Sequence, residues 1–378
     1  MIVRWQGLDS IYVKTKIYNG ENSLQRLEQL SGEKIWIICD EFLIKSKKID
    51  FVLKYIDKSN TISIFSEVLP DPPLNIIGKG IVLINKIKPT IIIGFGGGSA
   101  IDTAKGIIYF AKHKKIIENF KFIAIPTTSG TGSEVTSAAV ITDTDEKIKH
   151  AIFDDDLLPD EAILDVNLTL TVPSEITANT GMDVLTHAIE AYVSKKSNVY
   201  SDALAEKAVE LVISSLVRAY KNGNDIEARA NMHEASNLAG MAFNIAGLGI
   251  NHSLAHQLGG QFHIPHGLAN AILLNKVIKF NCKDQYTLKK YAKLVFKTGM
   301  IEIGDNYEIA VEVLKKYITA IMKIMNMPLS LRECSVDKKG FEEVKSIMSS
   351  NALKDTCTLY NRKEVNVKDI ETLFEIVY

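Results

Sequence analysis

Asp183 and His187 stand four residues apart in GMDVLTHAIEAY, and His252 and His266 bracket the run NHSLAHQLGGQFHIPHG. One carboxylate and three imidazoles, with no cysteine among them, make a donor set suited to a catalytic Lewis acid. Structural zinc more often recruits several thiolates. On a helix, residues four apart project from one face, so Asp183 and His187 can reach one ion together. Taken alone, that pair reads more readily as a solvated helix face. The second cluster tips the balance, because its surroundings are glycine-rich and apolar rather than charged. His252 and His256 share the same spacing, and His266 follows Pro265 in a turn ahead of GLANAILL, so it approaches from another direction. His113, His150 and His233 lie among Lys, Glu or Asp and read as surface histidines, while His263, between Phe262 and Ile264, is ambiguous.

Upstream, PTIIIGFGGGSAIDTAKGI runs as strand, glycine loop and helix. Gly96, Gly97 and Gly98 clear side chains from a loop where backbone N–H groups can meet a phosphate, and Ser99 adds a hydroxyl. The helix starting near Ala100 points its positive end at the same place. The pattern is neither GxxxxGK[ST] nor GxGxxG. A tight structural turn competes with this reading; position decides for the phosphate, since ligands of open α/β sheets bind where loops leave the strands' C-terminal ends. A second polar loop, IPTTSGTGSEVTSA, again follows a short apolar strand and offers many small donors, either for a cofactor or for its own turns. Asp40 ends IWIICD, where a carboxylate can accept two ribose hydroxyls and repel a 2′-phosphate. That favours NAD over NADP, although in the standard dinucleotide fold the acid comes after the glycine loop.

The elements that must position these groups change style along the chain. Up to about residue 170, strand candidates at 35–38, 62–65, 90–93, 122–125 and 162–164 alternate with helix-like stretches such as NSLQRLEQL and AIDTAKGIIYFAKH, the mark of a parallel sheet with helices on its faces. Beyond Thr171-Val172-Pro173 no convincing strand follows, and Leu204, Ala208, Leu211, Val212 and Leu216 recur at helical spacing. The expected architecture is a Rossmann-like α/β dinucleotide domain over residues 1–172, then an all-helical metal-binding domain over 173–378. With 44 Lys and Arg against 45 Asp and Glu, and no basic block, nothing points to nucleic acid. Four scattered cysteines fit a reducing compartment. No stretch approaches the ~18 apolar residues of a membrane span, and the N-terminus lacks a signal peptide's apolar core. The expected location is the cytoplasm, or a compartment enclosed within it.

In this order, GFGGGSAIDTAK, IPTTSGTGSEVTSAAVITD, ITANTGMDVLTHAIEAYVS and AGLGINHSLAHQLGGQFHIPHGLANA resemble the iron-containing (group III) alcohol dehydrogenases over essentially the whole chain. IWIICDEFL, ISIFSEVLPDPP and NLAGMAF look closest to the branch that serves propanediol-utilisation microcompartments. The resemblance implies an NADH-dependent reductase of short-chain aldehydes (propionaldehyde to 1-propanol, or acetaldehyde to ethanol). It makes Asp183, His187, His252 and His266 the ligands of Fe²⁺, with Zn²⁺ an alternative ion, and His256 a neighbour of the metal and candidate proton relay. Gly97, Gly98 and Ser99 would contact the pyrophosphate of NAD(H), with Asp102 in the same helix start. Thr127, Thr128, Thr131 and Ser133 would hold the cofactor, Lys149 its ribose, and Asp40 would discriminate for NAD; Asp71 and Leu168 are weaker carry-overs. Phe243 and Leu254 would line a small apolar substrate site. Asn351-Ala-Leu-Lys-Asp355 departs from the family's usual DALKD in what reads as a peripheral segment. Lactaldehyde reduction and 1,3-propanediol oxidation remain as alternatives on the same scaffold, with a non-catalytic microcompartment protein as a remote one. A homodimer or larger homo-oligomer, a microcompartment shell and neighbouring aldehyde-producing enzymes are the implied partners.

Overall fold

The computed structural model describes residues 11–144, 148–304 and 306–378, apart from the side chains of residues 148 and 149. The run IIIGFG is buried at every position, as a strand covered on both faces must be, and it forms the centre of the sheet. The strands are β1 (Lys16–Asn19), β2 (Lys34–Asp40), β3 (Thr61–Val68), β4 (Ile91–Gly96), β5 (Lys121–Pro126), β6 (Ala138–Asp143), β7 (Ile148–Phe153) and β8 (Glu161–Leu164). Six of them make one sheet in the order β1-β8-β5-β4-β2-β3, with every pairing parallel. Alternate residues feed opposite layers: Trp36, Ile38 and Ile92 pack into one core, Ile35, Ile37, Ile91 and Ile93 into the other.

Helices α1 (Glu41–Lys45), α2 (Asp50–Leu53), α3 (Leu74–Ile87) and α4 (Gly98–His113) fill the crossovers. The chain then becomes helical: α5 (Ser174–Val193), α6 (Val199–Lys221), α7 (Ile226–Ala246), α8 (Ile250–Phe262), α9 (His266–Asn281), α10 (Gln285–Lys297), α11 (Tyr307–Ile324), α12 (Lys338–Lys354) and α13 (Val367–Val377). Helix α5 is buried almost all round, which marks it as the axis of this half. The α/β sheet followed by helices is the architecture the alternating and then purely helical patterns imply.

Three local readings change. The edge strand β1 and the antiparallel pair β6–β7 were not expected: β1 is four residues of mixed polarity, and β6–β7 follows directly from what reads as one polar loop. NSLQRLEQL contains a 3₁₀ helix, Ser23–Gln29. His233 is a buried residue, 2% exposed, because α7 is clasped between the polar loop and the other helices. Among the described residues, no helix is long and apolar enough to cross a membrane.

Candidate active site

Asp183 and His187 lie one turn apart on α5, His252 sits on α8, and His266 opens α9. Three helices therefore bring four donors to one point. The Nε2 atoms of His266, His252 and His187 lie 3.6, 3.7 and 4.0 Å from Asp183 Oδ1. These gaps are too long for hydrogen bonds. They are near the ~3.4 Å separating neighbouring ligands of a tetrahedral ion held at ~2.1 Å. The Asn270 amide nitrogen lies 2.7 Å from Asp183 Oδ1, 3.1 Å from His252 Nε2 and 3.2 Å from His266 Nε2. An amide has only two protons to give, so lone pairs outnumber donors here. A divalent cation would correct that imbalance, and the N/O donor set suits Fe²⁺ or Zn²⁺.

The groups behind these four side chains are as informative. Glu190 Oε2 accepts from His252 Nδ1 at 2.6 Å, and Oε1 accepts from the Asn251 backbone N–H at 2.7 Å. A carboxylate only accepts, so Nδ1 carries the proton and Nε2 turns its lone pair to the cluster. Asn251 donates to Asn270 Oδ1 at 2.9 Å, which leaves the Asn270 NH₂ facing Asp183. Neither Glu190 nor Asn270 was singled out from sequence, yet both signals were there. Residues 183, 187 and 190 follow i, i+4, i+7 on one helix face, and Asn270 stands four beyond His266.

Burial shapes the charges. It pulls His187 down to about 4. At His252 burial acts in the same direction, but the charges of Asp183 and Glu190 and the Glu190 hydrogen bond outweigh it and raise the pKa. Burial opposes ionisation of Asp183, while the histidines around it hold the carboxyl well below the usual carboxylate range. His266 is lowered as well, by burial. Its ring is 40% exposed, so solvent softens that effect. Phe243 packs against His187 with ring centroids 4.6 Å apart and the planes tilted, on the rim of the cluster. Leu254, expected beside it, is fully buried in the helical core, because two residues on from His252 the helix faces away.

His256 does not join the four donors around Asp183. Its ring lies parallel to His266 at 5.6 Å, and Nδ1 is bonded to Asp355 Oδ2 at 2.8 Å. Burial works against the Asp355 charge, but the hydrogen bond and charge of His256 hold its pKa at about 2. The NALKD segment is thus not peripheral: Asn351 is exposed on α12, but Asp355 reaches the histidine beside the metal cluster.

On the sheet side, Gly97 precedes α4 with no side-chain cap, so the helix N-terminus is open to an anion. A Cβ on Gly97 would lie 3.3 Å from Thr128 Oγ1, and one on Gly98 would lie 2.6 Å from Thr131 Cγ2. The glycines therefore also let the two loops pack together. β2 and β4 are neighbours, so Asp40 stands beside the glycine loop despite preceding it in the chain. One Asp40 oxygen caps α1 through Leu43 N–H, and the other lies 3.7 Å from the place of a Gly96 Cβ. Thr127 binds Gly96 O through its backbone N–H. Ser133 and Asp102 face each other: Ser133 Oγ donates to Asp102 Oδ1 at 2.5 Å, and Val140 N–H donates to Oδ2 at 3.1 Å. Leu168 is buried in the sheet core. Asp71, at φ 50°, is exposed in the turn between β3 and α3. The side chain of Lys149 lies outside the described residues.

The polar loop spans the two halves. Its Gly130 packs against Thr180 on α5, and Ser129 bonds His233 on α7 at 3.0 Å. Glu134 accepts from Asn237 at 2.9 Å, and buried Lys105 donates to the Thr136 and Ala138 carbonyls at 2.6 and 2.8 Å. At Gly132, φ is +62°, and an added Cβ would meet Gly240 Cα at 2.6 Å, so this contact is backbone on backbone.

An open helix N-terminus on a parallel sheet, joined by one loop to a carboxylate–histidine cluster on helices, is the arrangement that a metal-dependent oxidoreductase of two-part design needs. Family models agree over nearly all of the chain: "Iron-containing alcohol dehydrogenase" matches residues 14–166, and "Fe-containing alcohol dehydrogenase family, C-terminal" matches residues 177–378. This chain belongs to the iron-containing alcohol dehydrogenase family, and it is an oxidoreductase of alcohols and aldehydes. It is 45% identical to the 1-propanol dehydrogenase PduQ of Citrobacter freundii, over 97% of this chain and 99% of that one. With the NADPH-dependent butanol dehydrogenase of Clostridium saccharobutylicum it shares 39% identity over 96% of each. The crystal structure of a 1,3-propanediol oxidoreductase superposes with a TM-score of 0.91 at 33% identity, covering 98% of this chain and 100% of the other.

Proposed function

We propose that this protein reduces a short-chain aliphatic aldehyde with NADH, taking propionaldehyde to 1-propanol or acetaldehyde to ethanol. The observation that carries the reading is the convergence of three Nε2 atoms on Asp183 Oδ1, one loop away from the open N-terminus of α4. Asp183, His187, His252 and His266 would hold the ion. A bound Fe²⁺, or Zn²⁺ in its place, supplies Lewis-acid polarisation of the carbonyl, worth several kcal/mol of barrier. Gly97, Gly98 and Ser99 would receive the cofactor's pyrophosphate at the helix N-terminus. Thr127, Thr128 and Thr131 would line its path towards the metal, with Asp102 and Ser133 holding that loop in shape. Lys149, Asp71 and Leu168 would complete the cofactor's surroundings. Asp40 beside the glycine loop would take the adenosine ribose and disfavour NADPH, a point on which this chain would differ from its butanol-dehydrogenase relative. His256 would pass the proton that the alcohol oxygen needs. The strong likeness to 1-propanol dehydrogenases supports a place inside a propanediol-utilisation microcompartment, as a homodimer or larger homo-oligomer beside aldehyde-producing enzymes.

The test is anaerobic: protein loaded with Fe²⁺ or Zn²⁺, with NADH and NADPH oxidation followed over C2 to C4 aldehydes. The expected result is turnover with acetaldehyde and propionaldehyde, faster with NADH. Metal-loaded protein that oxidises neither nucleotide with any of these aldehydes overturns the proposal.

A further inference from the structure

The Asp355–His256 hydrogen bond joins groups 99 residues apart and lies outside the cluster of Asp183, His187, His252 and His266. We propose that Asp355 is a positioning residue for proton transfer, fixing the tautomer and ring orientation of His256; this rests on the reading of His256 as the proton relay.

Both Asp355 oxygens are engaged: Oδ2 by His256 Nδ1 at 2.8 Å, and Oδ1 by the Cys357 backbone N–H at 2.8 Å. The carboxylate is 15% exposed and the imidazole 24%. The turn carrying Asp355 is itself tied to α8, the helix that bears both His252 and His256. Thr358 Oγ1 bonds Ser253 Oγ at 2.8 Å, and Asn361 Oδ1 accepts from Ile250 N–H at 3.4 Å. The carboxylate is thus fixed to the same helix as the ring it orients.

A neutral imidazole has one donor and one acceptor nitrogen. An acceptor-only carboxylate on Nδ1 assigns the proton there and leaves Nε2 for exchange. A bound nicotinamide would supply the hydride for aldehyde reduction, leaving the substrate oxygen in need of a proton. Imidazolium Nε2–H then breaks to form the alcohol O–H, and the neutral ring recovers its proton from solvent. Throughout, Asp355 holds Nδ1–H and stops the ring from turning. Without it the ring can flip, or place its only proton on the wrong nitrogen.

Asp355→Asn is the informative change. Its Oδ1 still accepts from Cys357 N–H, so the turn is kept, while its NH₂ confronts Nδ1 and favours the opposite tautomer. The expected result is a kcat lower by about 10- to 100-fold, within the range for general acid–base groups. Bound metal and aldehyde KM should stay at wild-type values, and the solvent deuterium isotope effect on kcat should rise. Asp355→Glu, which restores a carboxylate, recovers part of the loss. The double variant with His256→Asn should be no slower than His256→Asn alone, because both act on one step. Additive losses, a wild-type kcat in Asp355→Asn, or lost metal or a collapsed thermal midpoint in that variant overturn the inference while leaving the relay intact. Full turnover by His256→Asn instead overturns the relay itself.

Discussion

Replacing Glu190 by Gln tests whether a buried carboxylate sets the metal affinity of this cluster. The change keeps volume but leaves one acceptor oxygen where two are in use, towards His252 Nδ1 and Asn251 N–H. If the amide oxygen stays on Asn251, its NH₂ faces His252 Nδ1. The imidazole must then move its proton to Nε2, onto the lone pair that would bind the ion. If the amide turns over, NH₂ meets the Asn251 N–H, leaving a buried donor unsatisfied at about 1–3 kcal/mol. Either route should weaken metal binding about 10- to 100-fold, as loss of such outer partners typically does. That corresponds to roughly 1.4–2.7 kcal/mol. The assay is competition with a chelator of known affinity, for Zn²⁺ in air and Fe²⁺ under argon, with metal counted by elemental analysis. A folded Glu190→Gln protein that holds metal as tightly as wild type would refute the orientation argument.

Further expectations follow from the same geometry. His266→Ala should lose metal and activity together; an active, metal-free variant would dismantle the site. Gly267→Ala should reduce both thermal stability and metal content, since its Cβ would sit 1.9 Å from the Asn179 carbonyl oxygen, next to candidate ligand His266. Overpacking of this kind costs about 1–3 kcal/mol, and an unshifted melting curve would count against it. Buried His233 has its pKa lowered by burial to about 4. A base lowered in the fold contributes stability that is complete above its unfolded pKa, ~6.5, and is lost as pH falls from there towards 4. Between pH 7.5 and 5 wild type should therefore lose about 2 kcal/mol more than His233→Gln; identical acid slopes in denaturant titrations would disprove the assignment.

The central strands were legible because β-branched runs buried on both faces have few other readings, as IWII and TIII illustrate. β1 was not, since Lys-Ile-Tyr-Asn at a sheet edge faces solvent on one side and carries little pattern. The four donors around Asp183 could be found from residue type and helical spacing. His233 could not be placed that way: its charged neighbours in sequence are set by the helix's outer face, while its own burial depends on what packs against α7. Asp40 looked misplaced until the strand order put β2 beside β4. The partnership of His256 with Asp355 has no local signal at all, because it depends on how the C-terminal helices return to α8.

The polar loop leaves the sheet at β5 and is fastened on both sides: Gly132 against Gly240, Glu134 to Asn237, Ser137 to Asn244 and Ser129 to His233 on α7, and Ser133 to Asp102 and Thr136 to Lys105 on α4. Mechanically it is a strap between α4 and α7. Any breathing between the sheet and the imidazole-bearing helices would load this segment from both ends, with Asp102 and Lys105 pulling on one side and Asn237 and Asn244 on the other. A strain felt at the helix N-terminus would then be passed directly to the helices that carry the imidazoles.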